Sequence, residues 1–86
     1  MERKVIKFYA DWCGPCRMYD RIWKKIVEKH KDEAEFIEVN IEKDTSGLAA
    51  KYKVQSIPYT VIIKDGVEVK KTGLLTADNL KQLIFN

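Results

Sequence analysis

Only Asp65-Gly66 separates the strand-like runs Tyr59–Lys64 and Val67–Thr72, and this link constrains the fold more than any other feature of the chain. A two-residue Asp-Gly link is the signature of a type I′ turn, so the two runs form an antiparallel hairpin. Val5-Ile6-Lys7-Phe8-Tyr9-Ala10 is short, β-branched and aromatic without clean alternation, which suits a central strand covered on both faces. A helix runs from Pro15 to about His30, with Tyr19, Ile22, Trp23, Ile26 and Val27 as its apolar stripe. Arg17, Asp20, Arg21, Lys24, Lys25 and Glu28 fall on the other side. Pro15 fits the first turn, where a missing N–H costs nothing. From Glu35 to Ile41 the chain alternates, with Ile37, Val39 and Ile41 on one face and Phe36, Glu38 and Asn40 on the other. Asp44, Thr45 or Ser46 caps a short helix carrying Leu48, Ala49, Ala50 and Tyr52. Gly73 breaks the last strand, and Thr76 caps a final helix with Leu80, Leu83 and Ile84 as its buried stripe. The order is βαβαββα. The first two strands, joined through a helix, are parallel with a right-handed crossover, giving an α/β fold with a four-stranded mixed sheet and helices on both faces.

Eighty-six residues make one domain, residues 1–86, with a modest core. The net charge of +3 comes from 16 basic and 13 acidic residues mixed along the chain. The densest basic pairs, Lys24-Lys25 and Lys70-Lys71, read as solvated surface, which argues against nucleic-acid binding. No apolar stretch of signal-peptide or membrane-span length follows Met1-Glu2-Arg3-Lys4, so a cytoplasmic location away from membranes is expected.

Cys13 and Cys16 are the only cysteines. A structural disulfide gains most by closing a long loop, so a pair two residues apart is a poor staple and a better redox couple. At a helix N-terminus the first thiol meets free N–H groups and the positive end of the macrodipole. Its pKa should therefore fall below the free value of about 8.5, making Cys13 the nucleophile and Cys16, one turn inside, the shielded resolving thiol. A zinc site lacks its other half, because there is no second cysteine pair and His30 is the single histidine. A zinc shared across a symmetric dimer is the alternative. His30 reads as a surface residue, and Trp12, beside the nucleophile in the Gly14-Pro15 turn, as a ring shading the site. Tyr9 and Trp23 read as core, and Pro58 alone is a weak signal.

Phe8-Tyr9-Ala10-Asp11-Trp12-Cys13-Gly14-Pro15-Cys16 resembles the active-site segment of thioredoxins. Val39-Asn40-Ile41, Lys51 to Pro58, Lys64-Asp65-Gly66 and Gly73 follow that family's order and spacing, so the similarity covers essentially the whole chain. The family's usual N-terminal strand and helix are absent, leaving a minimal thioredoxin fold of glutaredoxin size with expected strand order 2-1-3-4. The resemblance implies that Pro58 is a cis-proline beside the dithiol and that the Ile57 backbone pairs with an extended substrate. It implies an apolar contact surface of Trp12, Ile57, Gly73 and Leu74. Gly-Pro between the cysteines is thioredoxin-like, whereas glutaredoxins typically carry Pro-Tyr, and their Gly-Gly for glutathione is not found after the hairpin.

Two departures from the family, at three positions, stand out. Where thioredoxins usually bury an aspartate this chain has Lys7, and the partner lysine aligns with Glu38, so the charge pair has exchanged its ends. Either both side chains snorkel out of a thinly covered sheet edge, or they form a partly buried pair beneath Cys16 that relays its proton. A buried Lys7 ammonium would also lower thiol pKa values and make the protein more oxidising than ordinary thioredoxins. Arg21 stands where the family commonly has a helix-kinking proline. The implied function is thiol–disulfide exchange on protein disulfides by a monomer without metal or prosthetic cofactor, reset by a thioredoxin-reductase-like or other dithiol partner. Glutathione-coupled exchange, disulfide isomerisation and a binding-module role are the alternatives.

Overall fold

The computed structural model describes residues 2–86. Strand β1 (Arg3–Tyr9), helix α1 (Gly14–His30), strand β2 (Glu35–Asn40), helix α2 (Leu48–Lys51), strands β3 (Tyr59–Lys64) and β4 (Val67–Thr72), and helix α3 (Ala77–Phe85) follow in that order. The sheet runs β2-β1-β3-β4, as expected. β1 pairs in parallel with β2 through Lys7 opposite Glu38, and antiparallel with β3 through Lys7 opposite Thr60. The two registers together bring Glu38, Lys7 and Thr60 into one row across the sheet.

Both faces of β1 are covered, which explains why its sequence does not alternate. Val5 and Ile62 pack against Tyr19, Trp23 and Ile26 of α1 and against Leu80 and Ile84 of α3. On the opposite face Ile6, Phe8, Val39 and Val61 meet Tyr52 and the α2 side chains Leu48 and Ala49. Trp23 meets Phe36 edge to face, with ring centroids 5.5 Å apart.

The turns follow their chemistry. Asp65 (φ 52°) and Gly66 (φ 84°) both take positive φ, as a type I′ link requires. The Thr76 hydroxyl accepts from the Asn79 N–H at 3.1 Å and caps α3. The capping of α2 is divided: Gly47, at φ 79°, holds the N-cap position, while Asp44 accepts from Ala49 N–H and the Ser46 hydroxyl from Leu48 N–H. The N-cap position thus falls one residue after Ser46, and the expected side chains Asp44 and Ser46 serve the first N–H groups from outside the helix.

His30 is not the surface residue its helix-end position suggests. Its ring packs 4.6 Å from Phe85 and its Nδ1 meets Glu33 at 2.9 Å, because the C-terminal ends of α1 and α3 converge. At the far edge of the sheet, β4 presents Glu68, Lys70 and Lys71 to solvent. Tyr52 Oη donates to Glu68 at 3.3 Å, and the Lys70 ammonium lies 5.9 Å from the Tyr52 ring centroid.

Candidate functional site

The end of β1 delivers Ala10 into a tight turn, closed by the Cys13 N–H donating to the Ala10 carbonyl at 3.2 Å. Cys13 then holds the N-cap position of α1, where its sulfur accepts the Cys16 N–H at 3.2 Å. Pro occupies the first turn, which contains no acidic residue, so the positive end of the dipole is left for the sulfur. Cys13 and Cys16 are joined as a disulfide. Each is only 4% exposed, so in this oxidised form position on the helix, not exposure, distinguishes them. The first sulfur caps the helix; the second lies inside its first turn.

Around the pair, Ala10 and the two cysteines form a small buried cluster against Tyr9, Ile41 and Ile57. The Ile57-Pro58 bond is cis and Pro58 is buried. The Gly73 N–H donates to the Pro58 carbonyl at 2.8 Å, tying the end of β4 to the proline; Gly73 itself sits at φ 89°. Leu74, the next residue, is 40% exposed. Trp12 lies outside the buried cluster and is 63% exposed. Its turn is braced from α1, where Arg17 donates to the Asp11 carbonyl at 3.0 Å, and from β2, where the Asn40 amide reaches the Asp11 carboxylate at 3.3 Å. Arg17 and Asn40 were not singled out by sequence reasoning, and only the register of β1 on β2 brings Asn40 to this turn.

Lys7 does not snorkel. It is 1% exposed, and its ammonium lies 2.9 Å from Glu38 and 2.8 Å from Asp20, with Tyr9 and Trp23 ring centroids 5.2 and 5.1 Å away. The expected Lys7–Glu38 pair is therefore a cluster with a third member. Asp20 also holds Lys24 at 3.0 Å, an i,i+4 pair along α1. Burial works to raise the Asp20 carboxyl, but hydrogen bonds and charge from Lys7 and Lys24 outweigh it and leave the group below its usual range. Asp20 is four residues beyond Cys16, so one helical turn separates them on the same side of α1. That spacing was the available signal. Cys16, Lys7, Asp20 and Glu38 line one cleft of about 580 Å³ beneath the disulfide.

Nearby, the Tyr19 hydroxyl and Thr60 hydroxyl are 2.7 Å apart. Burial pushes Tyr19 up to about 12, against the opposing effect of the Thr60 hydrogen bond. Among the described residues no group of three or more His, Cys, Asp or Glu side chains is placed to hold a metal ion. No helix is long and apolar enough to cross a membrane among them.

The family model described as Thioredoxin matches residues 1–86. Thioredoxin from Staphylococcus epidermidis is 33% identical over 82 residues, which cover 94% of this chain and 78% of that protein. The solved thioredoxin of Fasciola hepatica superposes with a TM-score of 0.81 at 32% identity, over 95% of this chain and 78% of that one. The oxidised mitochondrial thioredoxin 3 of Saccharomyces cerevisiae gives a TM-score of 0.80 at 30% identity, over 96% and 76% of the two chains.

Proposed function

The chain belongs to the thioredoxin family and is a thiol–disulfide oxidoreductase, and from that premise we propose that it reduces protein disulfides in the cytoplasm, with Cys13 as nucleophile and Cys16 as resolving thiol. The observation that carries this assignment is the Cys13 sulfur at the N-cap of α1, accepting the Cys16 N–H where a thiolate is best stabilised. The Cys13 thiolate attacks one sulfur of a substrate disulfide, forming a mixed disulfide and releasing the first substrate thiolate. Cys16 then loses its proton and attacks the Cys13 sulfur. The Cys13–Cys16 bond forms, the mixed disulfide breaks, and the second substrate thiolate leaves. Two electrons pass to the substrate. A dithiol partner of the reductase class returns them, and no prosthetic group takes part.

The substrate lies along Ile57 and Pro58 as an added strand, with Trp12, Gly73 and Leu74 as its apolar contacts. In support, Ile57 packs on the buried cysteine cluster, Gly73 is bonded to Pro58, and Trp12 and Leu74 are among the few large apolar side chains left exposed. Gly14 and Pro15 shape the turn between the thiols. Glu38 takes the Cys16 proton across the cleft, and Lys7 holds Glu38 there while favouring the thiolate. Their supporting observation is that Lys7, Glu38 and Cys16 line the same cavity.

The test is an equilibrium titration of Cys13–Cys16 against dithiothreitol and glutathione buffers, followed by tryptophan fluorescence. A two-electron transition near about −270 mV supports a disulfide reductase. A midpoint near about −200 mV or above moves the assignment to exchange, isomerisation or glutathione coupling. Absence of a reversible transition refutes the redox assignment and favours a binding module, whose partner would still bind after both cysteines are changed to serine.

A further inference from the structure

Four cations recur at four-residue intervals on α1: Arg17, Arg21, Lys25 and Lys29, all exposed. The interval keeps them on one side of the helix, so they form a row about 18 Å long that starts one residue beyond Cys16. Helix stability does not account for this row. Like charges at i,i+4 are mutually destabilising, and the macrodipole favours only Lys29, in the last turn, while it disfavours Arg17 at the end of the first. Elsewhere the lysines divide: Lys4, Lys24, Lys43 and Lys81 pair with Glu35, Asp20, Asp11 and Asp78, whereas Lys31, Lys51, Lys53, Lys64, Lys70 and Lys71 enter no ion pair among the described residues. Among the described residues Arg21, Lys25 and Lys29 enter no ion pair.

A second cleft, of about 320 Å³, opens between α1 and the start of α3 beside this row. Its walls carry Arg21, Lys25, Lys29 and Lys81 without any acidic residue, over apolar surface from Ile22 and Ala77. The cations are spread along a line and do not converge on one point, which suits a chain of carboxylates better than a single small anion. The apolar floor suits a polypeptide better than a sugar–phosphate backbone.

We propose that the Arg21–Lys25–Lys29 row is a docking surface for an acidic segment of the protein whose disulfide is presented to Cys13. The proposal rests on the redox assignment and adds to it a partner chemistry, selected by charge along α1 and separate from the apolar contacts at Ile57 and Pro58. Because such a surface acts during encounter, its effect falls on the second-order rate and fades with salt.

The probes are three synthetic disulfide-looped peptides that differ only in a tail of four glutamates, glutamines or lysines, together with a dye-labelled glutamate-tailed peptide without cysteine. At low ionic strength the glutamate-tailed loop should be reduced about tenfold faster than the glutamine-tailed one, with the two rates converging at high salt. In the K25Q/K29Q variant that advantage should shrink severalfold while the glutamine-tailed rate holds. In the K25E/K29E variant the lysine-tailed loop should become the faster substrate. Equal rates for the three peptides, or an advantage that survives both variants, would overturn the proposal. If no loop is reduced, the redox assignment fails instead. Fluorescence anisotropy of the cysteine-free peptide then decides the docking surface: salt-sensitive binding lost in K25Q/K29Q upholds it, and no binding overturns it. Equally tight binding of a short DNA duplex to the same lysines would overturn it too, as a patch that takes any polyanion.

Discussion

Lys7→Met should leave the oxidised protein as stable as the parent or make it more stable, even though it removes two ion pairs. Lys7 is 1% exposed, and desolvating a charge in a protein interior costs several kcal/mol. Its attractions to Asp20 and Glu38 offset that cost only in part, because the two carboxylates face water, at 32% and 47% side-chain exposure. Hydration can therefore take over when Lys7 is gone, and Asp20 keeps Lys24 at 3.0 Å. The usual loss of about 3–5 kcal/mol for orphaning a buried charge does not apply to carboxylates this accessible. Methionine refills most of the lysine stem, and its sulfur falls near the Tyr9 and Trp23 rings, where such contacts contribute about 0.3–1.5 kcal/mol. The expected change is a gain of up to about 2 kcal/mol, a rise in Tm of roughly 8–16 °C for a domain of this size. Lys7→Ala removes the stem as well and should cost about 2–4 kcal/mol through the cavity it leaves. Urea unfolding of the three oxidised proteins at pH 7, followed by tryptophan fluorescence, measures both differences. A Lys7→Met protein destabilised as much as Lys7→Ala would refute the reasoning, since the ion pairs and not the packing would then hold the site.

Three further outcomes follow from the same geometry. In the reduced protein, Lys7→Met leaves two carboxylates beneath the thiols with less compensation. The pH midpoint for alkylation of Cys13 by iodoacetamide should rise; a fall or no change would remove Lys7 from thiolate stabilisation. Tyr19, raised from the ordinary value of 10.0 to about 12, contributes stability that is fully present below pH 10 and is lost as pH climbs through 12. That loss should reach about 3 kcal/mol and be absent from the alkaline unfolding curve of Tyr19→Phe. Asp20, lowered by Lys7 and Lys24 against the opposing effect of burial, contributes stability present above its unfolded pKa and lost as pH falls through the lower folded value. Acid titration of Asp20→Asn should show a shallower loss of stability below about pH 4 than the parent, and identical curves would deny the carboxylate that role.

Local chemistry was legible in the sequence wherever one residue type dictates one backbone shape. Asp65-Gly66 set the hairpin, and Thr76 capped the helix that carries Leu80 and Ile84. The unalternating run from Val5 announced a strand buried on both faces. What escaped depended on where elements meet. Asp20 was read onto the solvent side of α1 because an apolar stripe marks only the face toward the sheet. The cleft at the margin of that face, where Lys7 and Glu38 enter from β1 and β2, has no signature within the helix. His30 was misplaced for a related reason, since Phe85 lies 55 positions away and reaches it only when α3 folds back along α1. The Asp11 turn tells the same story, with Asn40 arriving from a strand that the helix separates from it. Even the snorkelling alternative for Lys7 was a question about cover, and cover comes from Tyr9 and Trp23 together.

The outer strand β4 bears on how crowded molecules of this protein treat one another. An uncovered strand is a template on which a neighbouring chain can grow ribbon-like aggregates, most readily when it is flat and greasy. Here Glu68, Lys70 and Lys71 stand along that margin, with Tyr52 and Glu68 linked across it. A second molecule approaching the open side meets ammonium and carboxylate groups that must first be stripped of water. The charged margin of β4 should therefore resist edge-to-edge pairing through this strand in concentrated stocks.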